Sequence, residues 1–148
     1  MMREAGVIAF VIVVVLMAIS LLIGVTAWVV LYVYSVFYFL VFLYYAVSAR
    51  ETENRIQWFT VYGIIVVCII FTYAGTYWQH GIFSSVDKKI IFSFSDSLYF
   101  SIVTWTTLGY GDFSPTNDLR LIASIQALLG YLSMGLYIGV IVSTLTRR

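Results

Sequence analysis

Seven consecutive residues, Thr106-Thr107-Leu108-Gly109-Tyr110-Gly111-Asp112, are the part of this chain best suited to chemistry, and the chemistry is that of the backbone. A cation leaving water for a low-dielectric passage loses its hydration, so whatever receives it must present several oxygens with nothing bulky in the way. Backbone carbonyls meet that need when successive ones turn to one side, which requires alternate residues to adopt left-handed backbone angles. Gly109 and Gly111 reach those angles without the steric cost a side chain imposes. Taken alone, Gly-Tyr-Gly is equally the composition of an ordinary turn. The difference lies in what flanks it.

The flanks belong in a membrane. Of the 148 residues, 62% are hydrophobic, 18% aromatic and only 10% charged, more apolar surface than a soluble fold of this size can hide. A net charge of +1 with scattered Lys and Arg excludes a nucleic-acid partner, which needs a clustered basic face. The lone Cys68 sits in an apolar run, cannot form an intrachain disulfide, and reads as a small buried hydrophobe. No metal-ligand cluster, nucleotide loop or pair of catalytic carboxylates is visible, and His80 lies in a loop, so an enzyme is not expected.

No charge occurs between Glu4 and Arg50, and one helix of that length would reach roughly 65 Å, about twice the hydrocarbon core. The stretch must fold back, most naturally at Ile23-Gly24-Val25-Thr26-Ala27-Trp28. Residues 1–49 are therefore expected to form a transmembrane helix pair, too long for a signal-peptide core, and residues 50–55 a cytoplasmic linker. A third span is expected over 56–79 and an aqueous extracellular loop over 80–93. Ser93 with Asp96 offers a helix cap, and the helix over 94–106 is too short to cross the bilayer. A short helix feeding a Gly-rich loop at membrane depth is a re-entrant segment. Residues 113–118 turn the chain outside, and the last span covers 119–146. With Arg3, Arg50, Arg55, Arg147 and Arg148 inside and Lys88, Lys89 and Arg120 outside, both termini are cytoplasmic.

In that setting the string resembles the selectivity filter of the potassium channel superfamily. The resemblance spans residues 56–146 as outer helix, pore helix, filter and inner helix, within a pore domain of 56–148; the N-terminal pair has no assigned family part. It implies an all-α membrane protein with four transmembrane helices per chain, a re-entrant pore helix and a filter loop, assembled as a homotetramer. Potassium would pass passively through rings of backbone carbonyls over 107–111. By the same resemblance Thr107 offers its carbonyl and hydroxyl to K+, and Leu108, Gly109 and Tyr110 their carbonyls, with Gly111 completing the filter. The side chains of Leu108 and Tyr110 would pack outward. No cofactor is implied beyond the permeant ion, and the partners are further copies of the chain and the lipid of the plasma membrane.

Support for the filter is expected from Tyr99, Trp105, Thr106 and Asp112. Asp112 is either a surface carboxylate at the outer mouth or a hydrogen-bonded brace, with Tyr99 as natural partner and Trp105 packing or donating nearby. Gly130 matches the gating-hinge position, Gly135 and Gly139 have the spacing of close helix packing, and Ser114 falls on the outer rim. Three departures from the family stand out. Leu108 stands where Val or Ile is commoner; Tyr99 and Phe100 replace a tryptophan pair found in some members, Phe100 having no donor to offer Tyr110; and Val103 replaces an acid. A poorly selective cation channel and a non-conducting modulatory subunit are the other readings. The spans before the filter carry no arginine series, so weak voltage dependence is expected.

Overall fold

The computed structural model describes residues 55–146, so the expected N-terminal pair and all but the last residue of the linker lie outside the described residues. Two long helices, α1 (Arg55–His80) and α3 (Arg120–Leu145), flank a short one, α2 (Phe94–Trp105). At 1.5 Å per residue the long helices reach about 39 Å, enough for a hydrocarbon core near 30 Å, whereas α2 reaches about 18 Å. The stretches Tyr62–His80 and Asn117–Gly139 are long and apolar enough to cross a membrane. Helix α2 starts where its sequence dictates. Ser93 has extended backbone, its Oγ accepts from the Asp96 amide at 3.4 Å, and the Asp96 charge lies in the first turn, at the positive end of the helix dipole.

The expected loop over 80–93 is a correction. Strands β1 (Ile82–Ser84) and β2 (Lys89–Ile91) form a hairpin, and β3 (Phe113–Pro115) pairs with the other side of β1, giving the antiparallel order β2-β1-β3. Ile82 faces Pro115, Phe83 faces Ser114 and Ser84 faces Phe113. The all-α expectation therefore holds for the spans but not for this cap. Ile82 and Ser84 are buried and Phe83 is exposed, a period-two pattern only three residues long. Pro115, lacking an N–H, sits on an edge strand where none is needed.

The core is where the three helices meet. Ile69, Tyr73 and Tyr77 of α1, Phe100 and Trp105 of α2, and Ala123 and Leu129 of α3 pack together, with Ile82 and Leu119 closing the outer end. Tyr77 meets Phe100 edge-on at 4.8 Å between ring centroids, a favoured aromatic geometry. Toward the other end, Tyr62 stacks on Tyr137 at 5.3 Å. Helix α2 is thus held from both sides, and its C-terminal end delivers the chain to the glycine-rich string.

Candidate ion-coordinating loop

The loop begins as the termination of α2. Thr106 is the last residue with right-handed helical angles, and its amide and hydroxyl donate to the Ile102 carbonyl at 3.0 and 2.9 Å. Thr107 then turns left-handed, with φ 56°. Its amide donates to Thr104 O at 3.1 Å and that of Leu108 to Val103 O at 3.0 Å. These are the paired bonds of a Schellman cap, whose left-handed position usually belongs to glycine. A β-branched residue there is strained, by about 1–3 kcal/mol.

From Thr107 onward the handedness alternates. Gly109 has φ 57° and Gly111 φ 81°, while Leu108 and Tyr110 are not left-handed. The glycine spacing indicates two of these three turns in sequence; the third, at Thr107, goes unseen because threonine propensity argues against it. Residues 106–111 are all exposed within one chain. Among the described residues, no donor reaches the carbonyls of Thr107, Leu108, Gly109, Tyr110 or Gly111. The Thr107 hydroxyl donates to Thr106 O at 2.7 Å, which leaves the lone pairs of its oxygen available.

Asp112 is hydrogen-bonded at every oxygen. Tyr99 donates its hydroxyl to Oδ2 at 2.7 Å, the Phe113 amide donates to Oδ1 at 3.0 Å, and the Ser85 amide donates to the Asp112 carbonyl at 2.8 Å. Of the two readings open for Asp112, the geometry is that of the brace. The Tyr99 ring also lies nearly parallel to that of Tyr110, with centroids 6.5 Å apart, and edge-on to Phe113 at 5.8 Å. The bond to Asp112, followed by desolvation and the carboxylate charge, pushes the Tyr99 hydroxyl up to about 12. Because that value is raised above the ordinary tyrosine value of about 10, the bond's contribution is fully present below it and is lost as pH climbs through about 12.

Trp105 does not join this group, a correction to its expected place beside Asp112. It is buried in the core, at the opposite end of α2 from the Ser93 cap, and its carbonyl lies against Gly130 of α3. A Cβ at Gly130 would overlap that carbonyl oxygen, whereas at Gly135 and Gly139 it would meet nothing within 4 Å among the described residues. Among the described residues, close packing therefore falls on Gly130, the expected hinge. Phe100 faces Tyr77 in the core. Ser114 is half-buried in β3, opposite Phe83. The hairpin's contribution to the site, through the Ser85 amide, has no local sequence signal.

A protein-family model described as an ion channel matches residues 8–147, reaching into the N-terminal stretch that the sequence resemblance leaves unassigned. The two pore potassium channel a of Oryza sativa subsp. japonica is 28% identical over 105 residues, 70% of this chain and 30% of its own length. The A-type voltage-gated potassium channel KCND3 of Rattus norvegicus, and likewise of Homo sapiens, is 38% identical over 90 residues, 60% of this chain and 13% of its own length. The chain thus spans 30% or less of the length of these curated relatives. No solved structure matches it.

Proposed function

The chain belongs to the ion-channel family and to the potassium channel superfamily, a family of membrane proteins and not of enzymes, and on that footing we propose that it is a subunit of a potassium-selective channel. Four copies surround one axis, and the carbonyls of Thr107, Leu108, Gly109 and Tyr110, with the Thr107 hydroxyl, replace the water around K+. The observation that carries this reading is the run of left-handed turns at Thr107, Gly109 and Gly111, with five successive carbonyls that no donor among the described residues reaches. Tyr99 and Asp112 brace the outer end, Thr106 caps the base, and Trp105 seats that base against α3. The C-terminal end of α2 carries about half a negative elementary charge, which favours a cation beneath the filter.

Assembly follows from the cost of the alternative. A lone re-entrant loop would leave its backbone groups unsatisfied in lipid, at several kcal/mol each. Leu121, Leu128, Tyr131, Met134 and Ile138 are exposed along α3, which suits contact with lipid or with other copies. Gly135 and Gly139 are open to a neighbouring helix. Residues 1–49 supply two more spans, both termini are cytoplasmic, and the membrane is the plasma membrane. Gly130 is where α3 would bend during gating.

Purified protein in liposomes should pass potassium and rubidium much faster than sodium, and native mass measurement should give four chains. Equal sodium flux would replace this reading with the poorly selective channel, and absent flux with the non-conducting subunit. The outer rim offers a second test. A cation over an aromatic ring gains roughly 0.5–2 kcal/mol, so Ser114→Tyr should tighten external tetraethylammonium block about tenfold over a weakly blocked wild type. Unchanged block in one-sided recordings would remove Ser114 from the mouth.

A further inference from the structure

A buried polar chain crosses all three helices beneath the outer sheet. Tyr77 of α1 donates its hydroxyl to Oε1 of Gln126 of α3 at 2.6 Å. Gln126 Nε2 donates to Ser101 Oγ at 2.8 Å and to Ser101 O at 3.1 Å, both on α2. Ser101 Oγ in turn donates to the Ile70 carbonyl of α1 at 2.8 Å. Tyr77, Gln126 and Ser101 are each 0% exposed. The orientation of the carboxamide follows from chemistry, since the Ser101 carbonyl can only accept and the opposite flip would set oxygen against oxygen.

A glutamine inside an apolar span is costly unless satisfied, and leucine would fill the site without that risk. What glutamine adds is a grip on the backbone of α2. One turn further along both helices, Gly130 meets the Trp105 carbonyl. The pairs Gln126 with Ser101 and Gly130 with Trp105 are spaced by four residues on each helix, so together they set the depth and rotation of α2 against α3. Trp105 immediately precedes Thr106, and the Schellman bonds that hold Thr107 left-handed are accepted by the Val103 and Thr104 carbonyls in that same turn.

We infer that Gln126 is a positioning residue for the filter: it touches no ion, but by clamping Ser101 it fixes where the base of the ion-coordinating loop stands. The inference rests on the filter reading above. Tyr77→Phe provides the internal control, because it also deletes one buried bond of Gln126 yet leaves the grip on Ser101 in place.

The experiment compares wild type, Gln126→Met and Tyr77→Phe as assembled proteins, by amide hydrogen exchange over residues 106–112 and by potassium-to-sodium flux ratio in liposomes. Gln126→Met should speed exchange over that segment about tenfold and lower the flux ratio about tenfold, while Tyr77→Phe stays within about twofold of wild type in both. Equal acceleration in the two variants, no acceleration in Gln126→Met, or acceleration with an unchanged flux ratio would each overturn the inference. If Gln126→Met does not assemble, Ser101→Ala takes its place: faster exchange over 106–112 supports the clamp and unchanged exchange overturns it. A wild type that passes sodium as fast as potassium would sink the filter reading alone, since the exchange comparison still decides whether Gln126 positions the loop.

Discussion

Gly109→Val should abolish potassium-selective flux while leaving the chain able to fold and assemble. The site is open, because a Cβ at position 109 would meet nothing within 4 Å among the described residues, so steric contact with them is not the objection. The objection is torsional. Gly109 sits at φ 57°, and a side chain at left-handed angles costs roughly 1–2 kcal/mol, more for a β-branched one. In the proposed ring of four the cost recurs in every copy, about 4–8 kcal/mol in all, and the loop can relieve it only by rotating a carbonyl out of the ring. We expect the potassium-to-sodium ratio to fall at least about a hundredfold, the consequence of losing roughly 2.7 kcal/mol of discrimination. Ion flux and native mass on the same preparation test this. Retained selectivity with valine in place would mean that the Gly109 carbonyl does not line the path.

Gly130→Ala should destabilise the subunit itself, in contrast to the same change one or two turns further along α3. The added methyl would overlap the Trp105 carbonyl oxygen and come within 2.8 Å of its carbon and 3.2 Å of its Cα. All three are backbone atoms, so no side-chain rotation relieves the clash and α2 must move away from α3. Overpacking of this kind costs typically 1–3 kcal/mol, against which the better helix propensity of alanine returns about 1 kcal/mol. With backbone as the obstacle the upper end applies, a net loss of about 2 kcal/mol, or a midpoint roughly 8 °C or more lower in a domain of this size. Gly135→Ala and Gly139→Ala meet nothing among the described residues and should hold or raise the midpoint. Thermal unfolding in detergent separates packing from hinge: a glycine needed only for bending would lose opening, not stability, on becoming alanine. A Gly130→Ala protein as stable as wild type would refute the close contact.

The spans were legible because their signals are local. The apolar run of the first half ends at Arg50, the polar residues after Trp78 close the next one, and the helix that follows the Ser93 cap is too short to cross a bilayer. The glycine spacing of the filter was equally plain. The outer sheet was not, because its strands are three residues long and the pairing of Phe83 with Ser114 joins distant parts of the chain. Thr107 escaped for a different reason: the geometry of helix termination overrides the residue's own preference. Tyr99 and Asp112, thirteen residues apart, were paired by family resemblance and not by any periodicity. Gln126 was missed: it is one polar residue in an apolar run, and its partners lie 25 and 49 residues away, beyond what one sequence discloses.

If the chain takes the proposed topology, the hairpin changes where a reporter can be attached from outside the cell. An extracellular loop is the usual place for a fluorophore or an epitope tag, on the assumption that it moves independently of the pore. Here the Ser85 amide is committed to the Asp112 carbonyl, so an insertion at that position would pull on the outer end of the filter. Val86, the next residue, is 79% exposed at the tip of the turn. A single dye at position 86 is therefore one residue from a backbone bonded to Asp112, and its signal would follow the posture of the filter's outer end without entering the pore.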